Sequence, residues 1–385
     1  MAGSSLEETG HWPGIVAGIT LISAVGIGLS LAMPLLSLTL EARGISESWI
    51  GINTAFSGIA AIAATFFVTP LARRMGMGRL LLACSLIATL SLPAFHVASF
   101  VWWFPLRLVF AGSVVTLFVL SEFWINASAP PARRGFVMGV YATVLATGFA
   151  IGPAVLAAIG PEGIAPYLAG SGLIALSTLP AILAHRAVPE LRQGGHAPMR
   201  YFLAAAPLAT VAGLVFGVLE SVTFALLPVY GTEVGMSPSR AAFLVSITAM
   251  GNVATQIPLG LLADRMDRRL VIALSALITA IGLALMPVLV GEPTAFNALL
   301  FVTFGISGAI YIVGLTHLGA RFTGGDLAGA NAAFVMMYST GLLVGPMAVG
   351  LIMEVAGASG FAWSLSALCL AFAGFAFQRL RANAG

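Results

Sequence analysis

Apolar residues run through this chain in long unbroken stretches, not in alternation with polar ones. A helix needs about 20 mostly apolar residues to cross a bilayer core. Stretches of that kind lie near 14–40, 48–71, 79–98, 100–126, 135–159, 164–184, 202–230, 239–262, 270–290, 295–318, 330–354 and 360–378. Continuous runs predict helices, because a transmembrane barrel alternates with period two in segments of about ten residues. The first and seventh stretches are long enough to tilt. One long polar interruption breaks the series: residues 185–200 hold Arg186, Pro189, Glu190, Arg192, Gly194, Gly195 and Pro198. It reads as a linker. The pattern thus predicts an all-α integral membrane protein of twelve transmembrane helices, with a tail over 1–13, a six-helix bundle over 14–184, a linker over 185–200 and a second six-helix bundle over 201–380.

Composition agrees with the pattern. Hydrophobic residues make up 59% of the 385 and charged residues 8%, whereas a soluble domain carries about 25% charged residues. Most of the surface must therefore face lipid. The net charge of +3 raises nucleic acid as a partner, but the arginines are scattered, without a basic face or interleaved aromatics. Their placement is a topology signal. With the N-terminus in the cytoplasm, the inner loops hold Arg73, Arg74, Arg79, Arg133, Arg134, Arg186, Arg192, Arg200, Arg265, Arg268, Arg269, Arg321, Arg379 and Arg381, and the outer loops only Arg43 and Arg240. Both termini are then expected in the cytoplasm of a cell whose inner membrane the chain crosses. The first twelve residues are polar and acidic, which does not suit a cleavable signal peptide. Cys84 and Cys369 lie in apolar runs, where thiols act as filler. No metal-ligand spacing or phosphate-cradling loop occurs in a suitable context, and no cofactor is implied.

The two halves carry related segments. Leu71-Ala72-Arg73-Arg74-Met75 returns as Leu262-Ala263-Asp264-Arg265-Met266, and Phe149-Ala150-Ile151-Gly152-Pro153 as Leu342-Leu343-Val344-Gly345-Pro346. Gly148 and Gly341 each stand four residues before their Gly-Pro pair. Parallel repeats of this kind are a signature of transporters.

The segment Gly260-Leu-Leu-Ala-Asp264-Arg265-Met-Asp267-Arg268-Arg269 resembles the loop motif of the major facilitator superfamily, with Asp267 in place of a usual glycine. The first-half copy departs further, with Thr69 at the first glycine and Arg73 at the aspartate. Arg107 followed by Gly112 is similar to the superfamily's fourth-helix arginine motif, and Gly139, Gly148, Gly152 and Pro153 are similar to the fifth-helix motif of its exporters, except that Ala157 replaces the trailing glycine. Glu122-Phe-Trp124-Ile-Asn126 with Arg133-Arg134-Gly135, and Tyr311 with His317, resemble a largely uncharacterised bacterial branch. The resemblance implies the major facilitator fold of two pseudo-symmetric bundles, with the first, fourth, seventh and tenth spans lining a cavity. It also implies that Asp264 contacts the opposite half near Arg133 and Arg134 to stabilise the outward-facing state, and that Glu122, which shares a helix face with Asn126, pairs with Arg73, Arg74 or Arg79. The plainer alternatives are a static salt bridge for Glu122 and a topology role alone for Arg265, Arg268 and Arg269.

Two charges fall inside spans. Such a charge costs at least about 2.5–3.5 kcal/mol and usually faces a cavity or a partner. At about 1.5 Å per residue, Arg107 is expected about 10 Å deep and Glu220 about 15 Å deep. Glu220 is the candidate proton-binding carboxylate and Arg107 its partner; a permanent structural ion pair is the alternative. Asn252 and Gln256, one turn apart, either bond a neighbouring helix or touch substrate. Phe216, Tyr311 and Trp124 line a pocket or pack, and His317 titrates or satisfies a helix end. Proline removes a backbone bond and small residues let helices approach. Gly139, Gly148, Gly152 and Pro153, with Gly341, Gly345 and Pro346, therefore mark either hinge-like seams between halves or ordinary packing.

The function expected is secondary active transport of a small organic solute by alternating access, as proton-coupled antiport in the efflux direction. Symport or uniport of a sugar or metabolite is the alternative, since the first span carries no interior acid. An embedded enzyme would need a polar constellation that is missing, a transport-dead receptor would not keep costly intramembrane charges, and a channel would need a filter sequence. The partners expected are the solute, protons and the lipid bilayer, with no nucleic acid. A monomer suffices, because two halves build one pathway.

Overall fold

The computed structural model describes residues 12–128, 134–176, 179, 206–319, 322 and 324–381. The expected linker over 185–200, most of the tail over 1–13, and Arg133, Arg186, Arg192, Arg200 and Arg321 lie outside the described residues.

Each apolar run is a helix: α1 Trp12–Ala42, α2 Glu47–Met75, α3 Met77–Val97, α4 Trp103–Ser128, α5 Arg134–Ile159, α6 Ala165–Leu176, α7 Pro207–Glu233, α8 Pro238–Arg265, α9 Arg268–Leu289, α10 Pro293–Gly319, α11 Gly324–Ala356 and α12 Ser359–Arg381. Among the described residues, nine helices are individually long and apolar enough to cross a membrane. α2 makes a tenth as two arms, Glu47–Ala64 and Phe66–Met75, set at 58°. The bend lies one turn before Pro70, whose ring crowds the preceding turn and whose missing N–H removes a helix bond there. Large apolar side chains such as Phe67, Leu90, Ile257 and Val288 stand exposed, as a lipid-facing surface requires.

Local chemistry sets the helix ends. Pro207 and Pro238 open α7 and α8, where a proline's missing N–H costs nothing. Ser237 caps α8 by accepting from the Arg240 N–H at 3.4 Å. Asp267, at the loop motif's usual glycine, caps α9 by accepting from the Arg269 N–H at 2.8 Å.

The contacts divide the chain into two compact units: Met1–Leu35 with Ala60–Arg192, and Leu36–Ile59 with Gln193–Gly385. In the first, α5 lies on α1 with its backbone in contact. A Cβ on Gly152 would stand 2.5 Å from the carbonyl oxygen of Ile27 and 2.7 Å from the Leu31 nitrogen. One turn earlier, the Ser30 hydroxyl donates to the Gly148 carbonyl at 3.1 Å. Ile15, Ile22, Ile125, Val137 and Tyr141 fill the core between α1, α4 and α5. In the second unit α11 lies on α7 in the same manner. A Cβ on Gly341 would stand 2.3 Å from the Leu214 carbonyl oxygen, and one on Gly345 3.2 Å from Ser221 Oγ. α8 packs on α10, where the Thr255 hydroxyl donates to the Gly305 carbonyl at 2.7 Å, and α9 on α12, where Ser366 donates to the Ala280 carbonyl at 2.8 Å. Gly148 and Gly152 thus seat their helix on α1 of their own half. α11 serves two seams, one to α7 and one to the start of α2, where a Cβ on Gly51 would stand 2.0 Å from the Pro346 carbonyl oxygen.

Candidate functional site

Glu220 occupies the middle of α7, thirteen residues from Pro207 and thirteen from Glu233. That puts it about 20 Å from either helix end, deeper than the sequence suggested, because α7 runs on beyond residue 230. Its partner is Tyr338 on α11, whose hydroxyl donates to Glu220 Oε2 at 2.5 Å. Sequence reasoning missed Tyr338. The available signal was its place three residues before Gly341, on the face that glycine presses against α7.

Three aromatic rings surround the pair. Phe216, one turn before Glu220, has its centroid 5.1 Å from Tyr311 of α10 and stacks on Tyr338 at 6.4 Å. Tyr311 meets Tyr338 edge-on at 5.7 Å and Phe334 at 5.1 Å. Phe334 is buried, whereas Phe216, Glu220, Tyr311 and Tyr338 are all partly exposed. The carboxyl–phenol pair is therefore less enclosed than the Phe334 ring beside it. Chemically the cluster offers one carboxyl that can take or release a proton, one phenol to hold the carboxylate, and flat apolar faces.

The other sequence candidates sit elsewhere. Asn252 lies in the seam between α8 and α10, where a Cβ on Gly308 would stand 2.9 Å from its Nδ2. Gln256 follows on the next turn, and both amides are half-buried. Arg107 is buried in the first unit, four residues into α4, within electrostatic range of the equally buried Tyr167. The Tyr167 ring lies 5.3 Å from His96. The apolar span that holds Arg107 runs from Phe100 to Ile125, so Arg107 stands seven residues in, at the expected depth of about 10 Å, with Phe100–Trp102 as a separate 3₁₀ turn at its start. Trp124 is fully buried and acts as packing, not as a pocket wall. His317 is buried in the last turn of α10.

Of the loop-motif residues, Arg73, Arg74, Arg79, Arg265 and Glu122 are exposed, and Arg268 and Arg269 partly so. Among the described residues Glu122 makes no ion pair with Arg73, Arg74 or Arg79. Exposed pairs are worth about 0–1 kcal/mol, too little to hold such long side chains against solvation. Gly260 has open space where a Cβ would stand. The side chains of Asn126, Arg134 and Asp264 and the surroundings of Gly139 lie outside the described residues.

The sequence profile described as Major Facilitator Superfamily matches residues 18–230 and 208–384. Among curated proteins, the chain is 24% identical to the uncharacterized MFS-type transporter YfkF of Bacillus subtilis (strain 168), over 87% of this chain and 88% of that one. It is 21% identical to the uncharacterized MFS-type transporter YcaD of Salmonella typhimurium (strain LT2), over 88% of each. Among solved structures, a mutant of the nucleoside transporter NupG superposes with a TM-score of 0.77 at 14% identity, over 95% of this chain and 98% of that one. A D-xylose-proton symporter superposes with a TM-score of 0.72 at 17% identity, over 94% and 97%. A bacterial homolog of the human lysosomal transporter Spinster, inward-facing and unoccupied, gives 0.71 at 15%, over 94% of each chain. The molecule is a multi-pass membrane protein with the twelve-helix fold of secondary transporters, and the chain belongs to the major facilitator superfamily.

Proposed function

We propose that this transporter exchanges a small organic solute for protons by alternating access, in the efflux direction, and that Glu220 is the carboxylate that carries the proton. The observation that supports it is the placement of Glu220: at the centre of α7, partly exposed, and held among the described residues by a single phenol. A carboxyl buried for structure alone would be expected to have several donors, whereas one donor leaves room for a proton or a ligand to alter its bonding. Phe216 and Tyr311 give the neighbouring surface for solute, with Asn252 and Gln256 as polar contacts along α8. Arg107, the intramembrane cation of the other half, is the counter-charge that the cycle brings towards or takes away from Glu220. The two six-helix bundles are the moving parts, the Gly-Pro segments their hinges, and the arginine-rich loops, Asp264 and Glu122 the inner gate. The fourteen-to-two arginine bias supports a cytoplasmic side for those loops and both termini, in a chain that works as a monomer in a bacterial inner membrane.

A second reading is proton-coupled uptake of a sugar or nucleoside. It is favoured by the likeness to a D-xylose-proton symporter and a nucleoside transporter, and by an aromatic cluster suited to stacking on a sugar or base.

The test uses proteoliposomes loaded with a pH-sensitive dye and challenged with sugars, amino acids, nucleosides and amphipathic cations. A solute-triggered proton flux that disappears in Glu220→Gln is the expected result, and its sign separates antiport from symport. Unchanged flux and pH dependence in Glu220→Gln would remove Glu220 from the coupling.

A further inference from the structure

The surroundings of Glu220 narrow the chemistry of the solute. α10 and α11 both lie against α7 but touch each other little. Small residues set the approach on each side. A Cβ on Gly314 of α10 would stand 3.1 Å from the Ala212 Cβ of α7, and one on Gly217 of α7 would stand 2.2 Å from the Tyr338 carbonyl oxygen of α11. Aromatic side chains join α10 to α11: the Tyr311 ring meets Phe334 at 5.1 Å and Tyr338 at 5.7 Å. α7 brings Phe216 up to this bridge, against both Tyr311 and Tyr338, and Glu220 one turn later, under the Tyr338 hydroxyl.

The polar groups that this cluster itself carries are one carboxyl and two phenols. Nearby hydroxyls on the same three helices donate to their own backbones. Ser221 donates to the Gly217 carbonyl at 2.8 Å, Thr316 to the Val313 carbonyl at 3.1 Å and Thr340 to the Met336 carbonyl at 2.9 Å. A sugar or a nucleoside carries polar groups at several edges, and each one left unpaired away from water costs binding. A solute with a single charged head and an apolar body suits the cluster better.

The sign of that head follows from the charges. The chain has no lysine. Every described arginine of this compact unit stands at a helix end or in a turn, whereas Glu220 is at the middle of α7. His317 is in the last turn of α10, and Arg107 belongs to the other compact unit. A carboxylate at membrane depth calls for a positive partner. Aromatic rings attract a cation over their faces within about 6 Å of the centroid, so Phe216, Tyr311 and Tyr338 favour the same sign as the acid does.

We propose that the solute is an organic cation, an ammonium or other onium ion with an apolar body, which places its charge on Glu220 and its body on Phe216, Tyr311 and Tyr338. This rests on the reading of Glu220 as the coupling carboxylate. Proton and solute then compete for one carboxylate, which is what the exchange of one for the other requires.

The experiment measures binding of radiolabelled benzyltrimethylammonium and tetraphenylphosphonium to the full chain in nanodiscs of zwitterionic lipid, which offers the probes no anionic surface. Buffers run from about pH 6 to about pH 9, a range that spans the titration of a shifted carboxylate. Neopentylbenzene, the uncharged carbon analogue of benzyltrimethylammonium, is the competitor that tests charge on the unaltered protein. The expected result is saturable binding of a cation that D-xylose, uridine and neopentylbenzene do not displace. Glu220→Gln should weaken it by about tenfold or more, and Phe216→Leu, which keeps bulk but removes the ring face, by about 2- to 30-fold. Binding of neither cation, displacement by neopentylbenzene at equal concentration, or affinity unchanged in both variants overturns the proposal. A proton flux driven by D-xylose or uridine and lost in Glu220→Gln would overturn the cation while keeping Glu220 as the coupling group. Cation binding that needs Glu220 but moves no protons would keep the cation and remove the exchange.

Discussion

Gly341 offers the most direct test of how the site is held together. A Cβ there would lie 2.3 Å from the Leu214 carbonyl oxygen and 2.8 Å from the Val218 nitrogen, where ordinary contact begins at 3.4 Å. Both obstacles are helix backbone, so no side chain can swing aside. Gly341→Ala must therefore move α11 from α7 by about 1 Å, an overpacking that costs about 1–3 kcal/mol. Tyr338 lies one turn away on the same face, and its 2.5 Å bond to Glu220 crosses the seam that opens. A displacement of that size stretches the bond towards 3.5 Å, where little of it remains. The expected outcome is a thermal midpoint lower by about 2–6 °C together with a large loss of solute-linked proton flux. Gly374→Ala in α12 is the control, since nothing stands within 4 Å of its added carbon. If Gly341→Ala melts and transports like the parent protein, the seam is not rigid and the geometric reasoning fails.

Tyr338→Phe keeps the ring against Phe216 and removes only the hydroxyl. A hydrogen bond to a charged group is worth about 1.5–3 kcal/mol, so the flux should fall and its pH profile should move by about one to two pH units; a profile that coincides with wild type would show the bond to be incidental. Asp267→Ala removes the cap of α9 and should cost about 1 kcal/mol, while Asp267→Gly should cost only a few tenths, a difference measurable by thermal unfolding with transport intact in both.

Helix positions were legible because membrane-length apolar runs admit one reading: every span expected from the pattern is a helix in the structure, to within a few residues at most described ends. What the pattern could not give was partnership. Gly148, Gly152, Gly341 and Gly345 announce close packing, but the sequence does not say against what, and their first partners are α1 and α7 of their own halves. Depth was legible for Arg107, seven residues into its span, and underjudged for Glu220, because α7 runs on to Glu233. Tyr338 was overlooked because its meaning depends on a side chain 118 residues away. The α1–α2 corner was placed with the first half by sequence repeat, yet its contacts are decided by Gly51, Gly58 and Gly350, whose neighbours only the folded chain reveals.

The two halves repeat their seams but not their chemistry. Gly152 sits over Ile27 and Ser30 as Gly345 sits over Val218 and Ser221, so the α5–α1 and α11–α7 contacts are built to one pattern. Carrying that correspondence along the helices, Glu220 matches Leu29, and Tyr338 matches Leu145, which stands seven residues before Gly152 as Tyr338 stands seven before Gly345. The scaffold that brings an acid and a phenol together in the second half carries a leucine at each of those two positions in the first. A packing role is satisfied equally by leucine, and without the cost of placing a carboxyl at membrane depth. The repeat thus supplies its own control. Helix packing accounts for what the halves share, and the Glu220–Tyr338 pair, which they do not share, is where a role beyond packing has to be sought.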